Sequence, residues 1–286
     1  MISVKNIAIS GQHQKPILID VRFFENSKPK PIVVFCHGYK GFKNWGAWNV
    51  MANIFAEAGF CFIKFNFSHN GGTIEQPMDF PDLEAFGSNN YSIELDDLDC
   101  VLNWIYDTPD LKSKVILDTI TLIGHSRGGG ITIIKAEEDA RVKKLISLAG
   151  VSDFKTRFNE GSNEFKKWKE TGIKYVLNGR THQQMPHYFQ FYEDFIKNEK
   201  RLTIQRAATH LKIPHLIIHG NKDTSVSVKE AKALHEWNPN SKLVIIENAD
   251  HVFGVSHPWG KETLPFEFQE AINSMIDFIK QGLSHS

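Results

Sequence analysis

Residues 120–130 read ITLIGHSRGGG, a β-branched apolar run followed by one serine among four glycines. A serine hydroxyl becomes a useful nucleophile only when a base takes its proton and an acid orients that base. Gly124 and Gly128 stand two positions either side of Ser126, giving the pattern Gly-x-Ser-x-Gly. That spacing suits a tight strand-to-helix turn, because strand and helix nearly touch there and a side chain at either glycine would collide. Gly129 would relieve crowding of the same helix against a sheet. Phosphate cradling is the other use of a glycine-rich turn, but neither Gly-Lys-Ser/Thr nor Gly-x-Gly-x-x-Gly is present. The alternative reading of these five residues is a tight strand-to-helix turn with an incidental serine.

The rest of the chain supplies partners. The chain order expected for such a turn is serine, then an acid, then a histidine. After PHLIIHG comes NKDTSV, which puts Asp223 just past the end of a strand. After KLVIIEN comes ADHVFG, which puts His251 in the equivalent loop one strand later. In a parallel sheet these strand ends share one edge, so Ser126, Asp223 and His251 can meet there. Of the thirteen histidines, His125 belongs beneath the turn and His219 reads as structural. His182, His187 and His257 lack a strand-end setting, whereas His69 sits in a loop at the correct edge and could line a pocket. Asp250 would struggle to reach back to the neighbouring ring, and Asp153, after the sixth strand of the series, is the alternative acid.

An oxyanion formed on attack needs two donors. The backbone N–H of Arg127, at the start of its helix, is one; that of Tyr39, in the loop CHGYKG, is the other. The Arg127 side chain could meet a substrate carboxylate or form a salt bridge elsewhere in the chain.

The elements that must hold these residues follow from periodicity. Strands are predicted at 16–24, 31–38, 60–67, up to Gly124, 143–150, 213–220 and 242–248. Helices are predicted at 47–59, 93–107, from Arg127, at 227–237 and at 266–280. Strand–helix alternation implies crossover connections and hence an α/β fold, a mostly parallel sheet with helices on both faces. The first two, closely spaced strands are expected to form an antiparallel edge. Residues 152–211 break the rhythm with many charges and aromatics and no strand, and read as a helical insertion. Within it, MPHYFQFYEDF reads as a helix with Tyr188, Phe191, Tyr192 and Phe195 on one face.

Composition narrows the class. Lys plus Arg and Asp plus Glu number 33 each, so no charge excess favours nucleic acid or an anionic membrane. The opening MISVKNIAIS carries no secretory signal pattern, and no run approaches the roughly 18 apolar residues of a membrane span. Cys36, Cys61 and Cys100 fall in apolar or helical segments and read as free thiols, with the cytoplasm as the expected location. No metal-ligand spacing appears among the cysteines and histidines, so neither metal nor organic cofactor is expected.

The elements HGY, GHSRGG, GNKD and DH together resemble the α/β-hydrolase pattern over nearly the whole chain. The combination is most similar to serine esterases of the cinnamoyl-esterase and dienelactone-hydrolase-like branch, although dienelactone hydrolases use cysteine where this chain has Ser126. The resemblance implies one α/β-hydrolase domain over residues 1–286 with a lid at about 152–211. It also implies ester hydrolysis by Ser126, Asp223 and His251 on a small-molecule substrate, with amide cleavage or mere ligand binding as the rival activities. Tyr188, Phe191 and Tyr192, with His69, are the candidate substrate contacts.

Overall fold

A computed structural model describes residues 1–26 and 28–281. Eight strands form one sheet: β1 (Ile2–Ser10), β2 (Pro16–Phe23), β3 (Lys30–Cys36), β4 (Cys61–Asn66), β5 (Val115–His125), β6 (Val142–Leu148), β9 (His215–Gly220) and β10 (Lys242–Ile246). Their order is β1-β2-β4-β3-β5-β6-β9-β10, and every pair from β4 to β10 is parallel. β7 (Ile173–Leu177) and β8 (Gln184–Tyr188) form a separate antiparallel hairpin.

Alternation along each central strand sends side chains into two cores. In β3, Ile32, Val34 and Cys36 enter the core shared with the helices Tyr91–Asp107 and Arg127–Glu138. Val33 and Phe35 enter the opposite core, with Trp48, Phe55, Phe268 and Met275 from the helices Trp48–Glu57 and Phe266–Lys280. Strands covered on both faces have no polar side to show, which is why they read as unbroken apolar runs.

Two expectations are corrected. The antiparallel edge is made by β1 and β2, whereas the strand at 31–38 lies inside the sheet between β4 and β5. The alternation in β1, Ile2 and Val4 then Ile7 and Ile9, is broken by a register shift between Val4 and Ile7, and most of its side chains are exposed, as an edge strand allows. The segment 152–211 is not purely helical either, since it carries the β7–β8 hairpin between short helices. The run MPHYFQFYEDF is split accordingly: β8 ends at Tyr188 and the helix Gln190–Lys197 follows. Pairing with β7 across the register Ile173–Tyr188 to Leu177–Gln184 holds its first half extended.

A buried charge cluster fixes the loop after β3. Lys43 and Lys64 donate to the two oxygens of Asp20, each at 2.8 Å, and the Lys43 N–H donates to Asn66 Oδ1 at 2.7 Å. All three charged side chains are nearly or fully buried. Desolvated charges tolerate burial only when paired this closely, so the loop carrying Tyr39 is tied to β2 and β4.

Candidate active site

β5 ends at His125 and a helix begins at Arg127, leaving Ser126 alone to turn the chain. Its backbone pays for the turn with φ 57° and ψ −120°, a region that residues with a side chain rarely occupy. The turn is held because the Ser126 N–H donates to Leu148 and its carbonyl accepts from Gly129 and Val151. A Cβ on Gly124 would lie 2.3 Å from the Gly128 carbonyl oxygen, and one on Gly128 would lie 2.6 Å from those of Cys36 and His37. No side chain fits at either position.

β9 and β10 deliver the next two residues to the same edge. His251 Nε2 lies 3.0 Å from Ser126 Oγ, and its Nδ1 lies 2.8 Å from Asp223 Oδ2. With the proton on Nδ1 pointing at the carboxylate, Nε2 presents its lone pair to the serine hydroxyl. The Asp223 side chain is fully buried. Burial alone would raise its pKa. Hydrogen bonds from His219 and His251 and from the Val226 N–H outweigh that and hold the carboxyl well below the ordinary range. Asp153 instead accepts from the Lys155 N–H, and Asp250 from the N–H groups of Val252 and Gly254.

Two further histidines brace this arrangement. His125 packs on Trp48 and donates from Nε2 to the His251 carbonyl at 3.0 Å; burial, aided by His251, pushes its pKa down to about 3. His219 presents Nε2 to both the Val226 carbonyl, at 2.8 Å, and Asp223 Oδ2, at 3.1 Å.

Across from the turn, Gly38 packs so closely that a Cβ there would lie 2.8 Å from Ser126 Cβ. Among the described residues neither the Tyr39 nor the Arg127 N–H is spent on another loop carbonyl. The Tyr39 hydroxyl reaches His187 Nε2 at 2.9 Å, while His187 Nδ1 donates to the Met185 carbonyl at 3.2 Å. One side chain of the β7–β8 hairpin is thereby joined to the loop after β3. The Arg127 guanidinium lies 3.3 Å from buried Glu94 and 4.5–5.4 Å from the ring centres of Tyr39, Tyr91 and Phe191. Of the two uses expected of that side chain, the salt bridge is formed, and the guanidinium also borders the main cavity.

Ser126 and His251 open on two cavities. The larger, of about 600 Å³, is walled by Tyr91, Phe154, Phe158, Trp168 and Phe191. The smaller, of about 150 Å³, runs between Gly38, Trp45, Trp48 and Val252. Of the four expected substrate contacts only Phe191 lines either cavity. His69 is buried against Ser68 Oγ at 2.8 Å, away from both. Tyr188 lies over Gly87 with its hydroxyl on Glu84, and Tyr192 packs on Phe158 and Phe165. The expected helical face fails because Tyr188 ends a strand and meets Gly87 and Glu84, whereas Phe191, on the helix that follows, packs on Tyr91. Tyr91, Trp168, His187 and Lys174 line the larger cavity without any signal in the sequence, since distant elements bring them there.

The family described as the alpha/beta hydrolase fold matches residues 31–170. A solved structure of Est1E from Butyrivibrio proteoclasticus with ferulic acid bound superposes with a TM-score of 0.74, covering 97% of this chain and 99% of that one at 16% identity. The chain has the α/β-hydrolase fold. Among curated proteins, an uncharacterized 31.7 kDa Escherichia coli protein from the traX-finO intergenic region is 28% identical over 140 residues, 48% of this chain and 43% of that one. The human serine hydrolase BPHL is 25% identical over 183 residues, 61% of this chain and 59% of its own length. The chain therefore spans about half the length of the curated relatives it matches. Among the described residues no helix is long and apolar enough to cross a membrane.

Proposed function

We propose that this α/β-hydrolase cleaves carboxylic esters of small molecules through an acyl-enzyme. The observation that carries the reading is the continuous chain of contacts from Ser126 Oγ to His251 at 3.0 Å and on to Asp223 at 2.8 Å. His251 Nε2 accepts the hydroxyl proton as Ser126 Oγ adds to the ester carbonyl carbon. The tetrahedral oxygen takes its negative charge between the Tyr39 and Arg127 N–H groups. Collapse breaks the bond to the alkoxy oxygen, and His251 returns its proton to the departing alcohol. Water, deprotonated by the same imidazole, then adds to the acyl-serine; collapse frees the acid and restores the Ser126 hydroxyl.

In this reading residues 152–211 form the lid, since Phe154, Phe158, Trp168 and Phe191 wall the larger cavity and give an aromatic acyl group its surroundings. Support for an aromatic acid comes from Est1E, which is similar in fold and has ferulic acid bound. The three cysteines are free, two of them buried, which suits the reducing cytoplasm. The test is turnover of matched aryl esters and anilides by the wild type and Ser126→Ala. Esters should be cleaved far faster than anilides, and the variant should lose several orders of magnitude in kcat. An active Ser126→Ala protein of native fold would overturn the assignment.

A further inference from the structure

The chain as a whole is electrically neutral, with 33 basic and 33 acidic residues. The larger cavity is not. Lys40, Arg127, Arg157 and Lys174 border it, and among the described residues no Asp or Glu does. These cations come from four different places: the loop after β3, the helix after Ser126, the turn Lys155–Phe158 and the hairpin strand β7.

Their charges are neutralised to different degrees. Arg157 is satisfied, with both Glu230 oxygens at 2.7 Å. Arg127 has one carboxylate, Glu94, at 3.3 Å. Lys174 finds only the exposed Glu164 at 3.8 Å and lies 4.3 Å from the centre of the Trp168 ring. Lys40 lies 5.1 Å from the centre of the Tyr39 ring, and no carboxylate raises its pKa against the burial that lowers it. Their combined field is felt at His187, whose pKa is pushed down to about 3 by burial first and then by Arg127, Lys174 and Lys40.

A partly buried ammonium held against an aromatic ring without a close carboxylate has lost hydration and gained little in return. An anion arriving with the substrate would repair that deficit, and the aromatic walls would hold the rest of the acyl group. Resting on the reading of Ser126 as nucleophile, we propose that the preferred substrates are esters whose aromatic acyl group bears a second, free carboxylate, bound by Lys174 and Lys40 with help from Arg127.

The experiment compares two esters of para-nitrophenol, one of terephthalate with its second carboxylate free, the other of para-isopropylbenzoate, nearly the same shape but uncharged. The ratio of their kcat/KM values is the readout, so a change in overall activity or folded fraction cancels. At low salt the ratio should favour the anionic ester by roughly tenfold or more, and it should shrink as salt rises. Lys174→Gln and Lys40→Gln should each lower the ratio several-fold. A ratio of one or below in the wild type, or a preference that neither substitution moves, overturns the inference while leaving ester hydrolysis standing. Turnover of neither ester by a protein whose Ser126 still reacts with a fluorophosphonate also overturns it alone. Turnover of neither with Ser126 unreactive removes the nucleophile assignment as well.

Discussion

Asp223 receives two imidazoles on one oxygen, His251 at 2.8 Å and His219 at 3.1 Å, and two backbone N–H groups on the other. These donors hold its carboxyl well below the ordinary range. Asp223→Asn keeps the shape but turns a donor toward His251, favouring the wrong tautomer; kcat should fall on the order of 10³–10⁴-fold with the fold intact. Asp153→Asn should leave kcat nearly unchanged, and the reverse outcome would move the acid to Asp153. The convergence of Ser126, Asp223 and His251 was legible because each follows an apolar strand and chain order restricts the choice. His219 and His187 were not: nothing local tells a histidine that its partner is a carboxylate four residues on or a tyrosine hydroxyl from a distant loop.

At the scale of elements, the sheet could be read from its apolar runs, whereas the segment 152–211 was misread in part. β7 is partly exposed throughout, and the buried run of β8 is Met185-Pro186-His187, which is neither β-branched nor uniformly apolar, so neither strand carries the usual signal. That error has an experimental consequence. Phe191 lines the cavity and Tyr188 does not. Phe191→Ala should weaken transition-state binding of bulky aromatic acyl groups more than of acetyl, by roughly 1–3 kcal/mol in kcat/KM. Tyr188→Ala, which removes a contact with Glu84 on the outside, should change both substrates alike. Equal losses for Phe191→Ala on both esters, in step with a lowered Tm, would make that ring simple packing.

Across the whole molecule, buried polar groups were the part least visible in the sequence, because an Asp in an amphipathic pattern reads as solvent-facing. Asp97 is fully buried; it accepts from the Ser68 N–H at 2.7 Å, and its Oδ1 has no partner. Burial raises its pKa from 3.8 to about 7, against the pull of Ser68. Between those values the native protein holds a proton that the unfolded chain has released, so this group's contribution to stability is lost as pH rises through about 7. Asp97→Asn should remove that dependence. Urea unfolding at about pH 5 and about pH 8 should show the variant gaining on the wild type at the higher pH. An unchanged difference between the two proteins would show that Asp97 does not titrate in this way.

The acyl-enzyme is the central claim, and the mass of the intact chain reports it directly. After rapid acid quench of wild type mixed with an activated aromatic ester, the spectrum should show one added acyl group, located by proteolysis to Ser126. The adduct should decay at the rate of steady-state turnover and be absent from Ser126→Ala. Sustained turnover with no acyl adduct at any time, or with the adduct on another residue, would contradict the account.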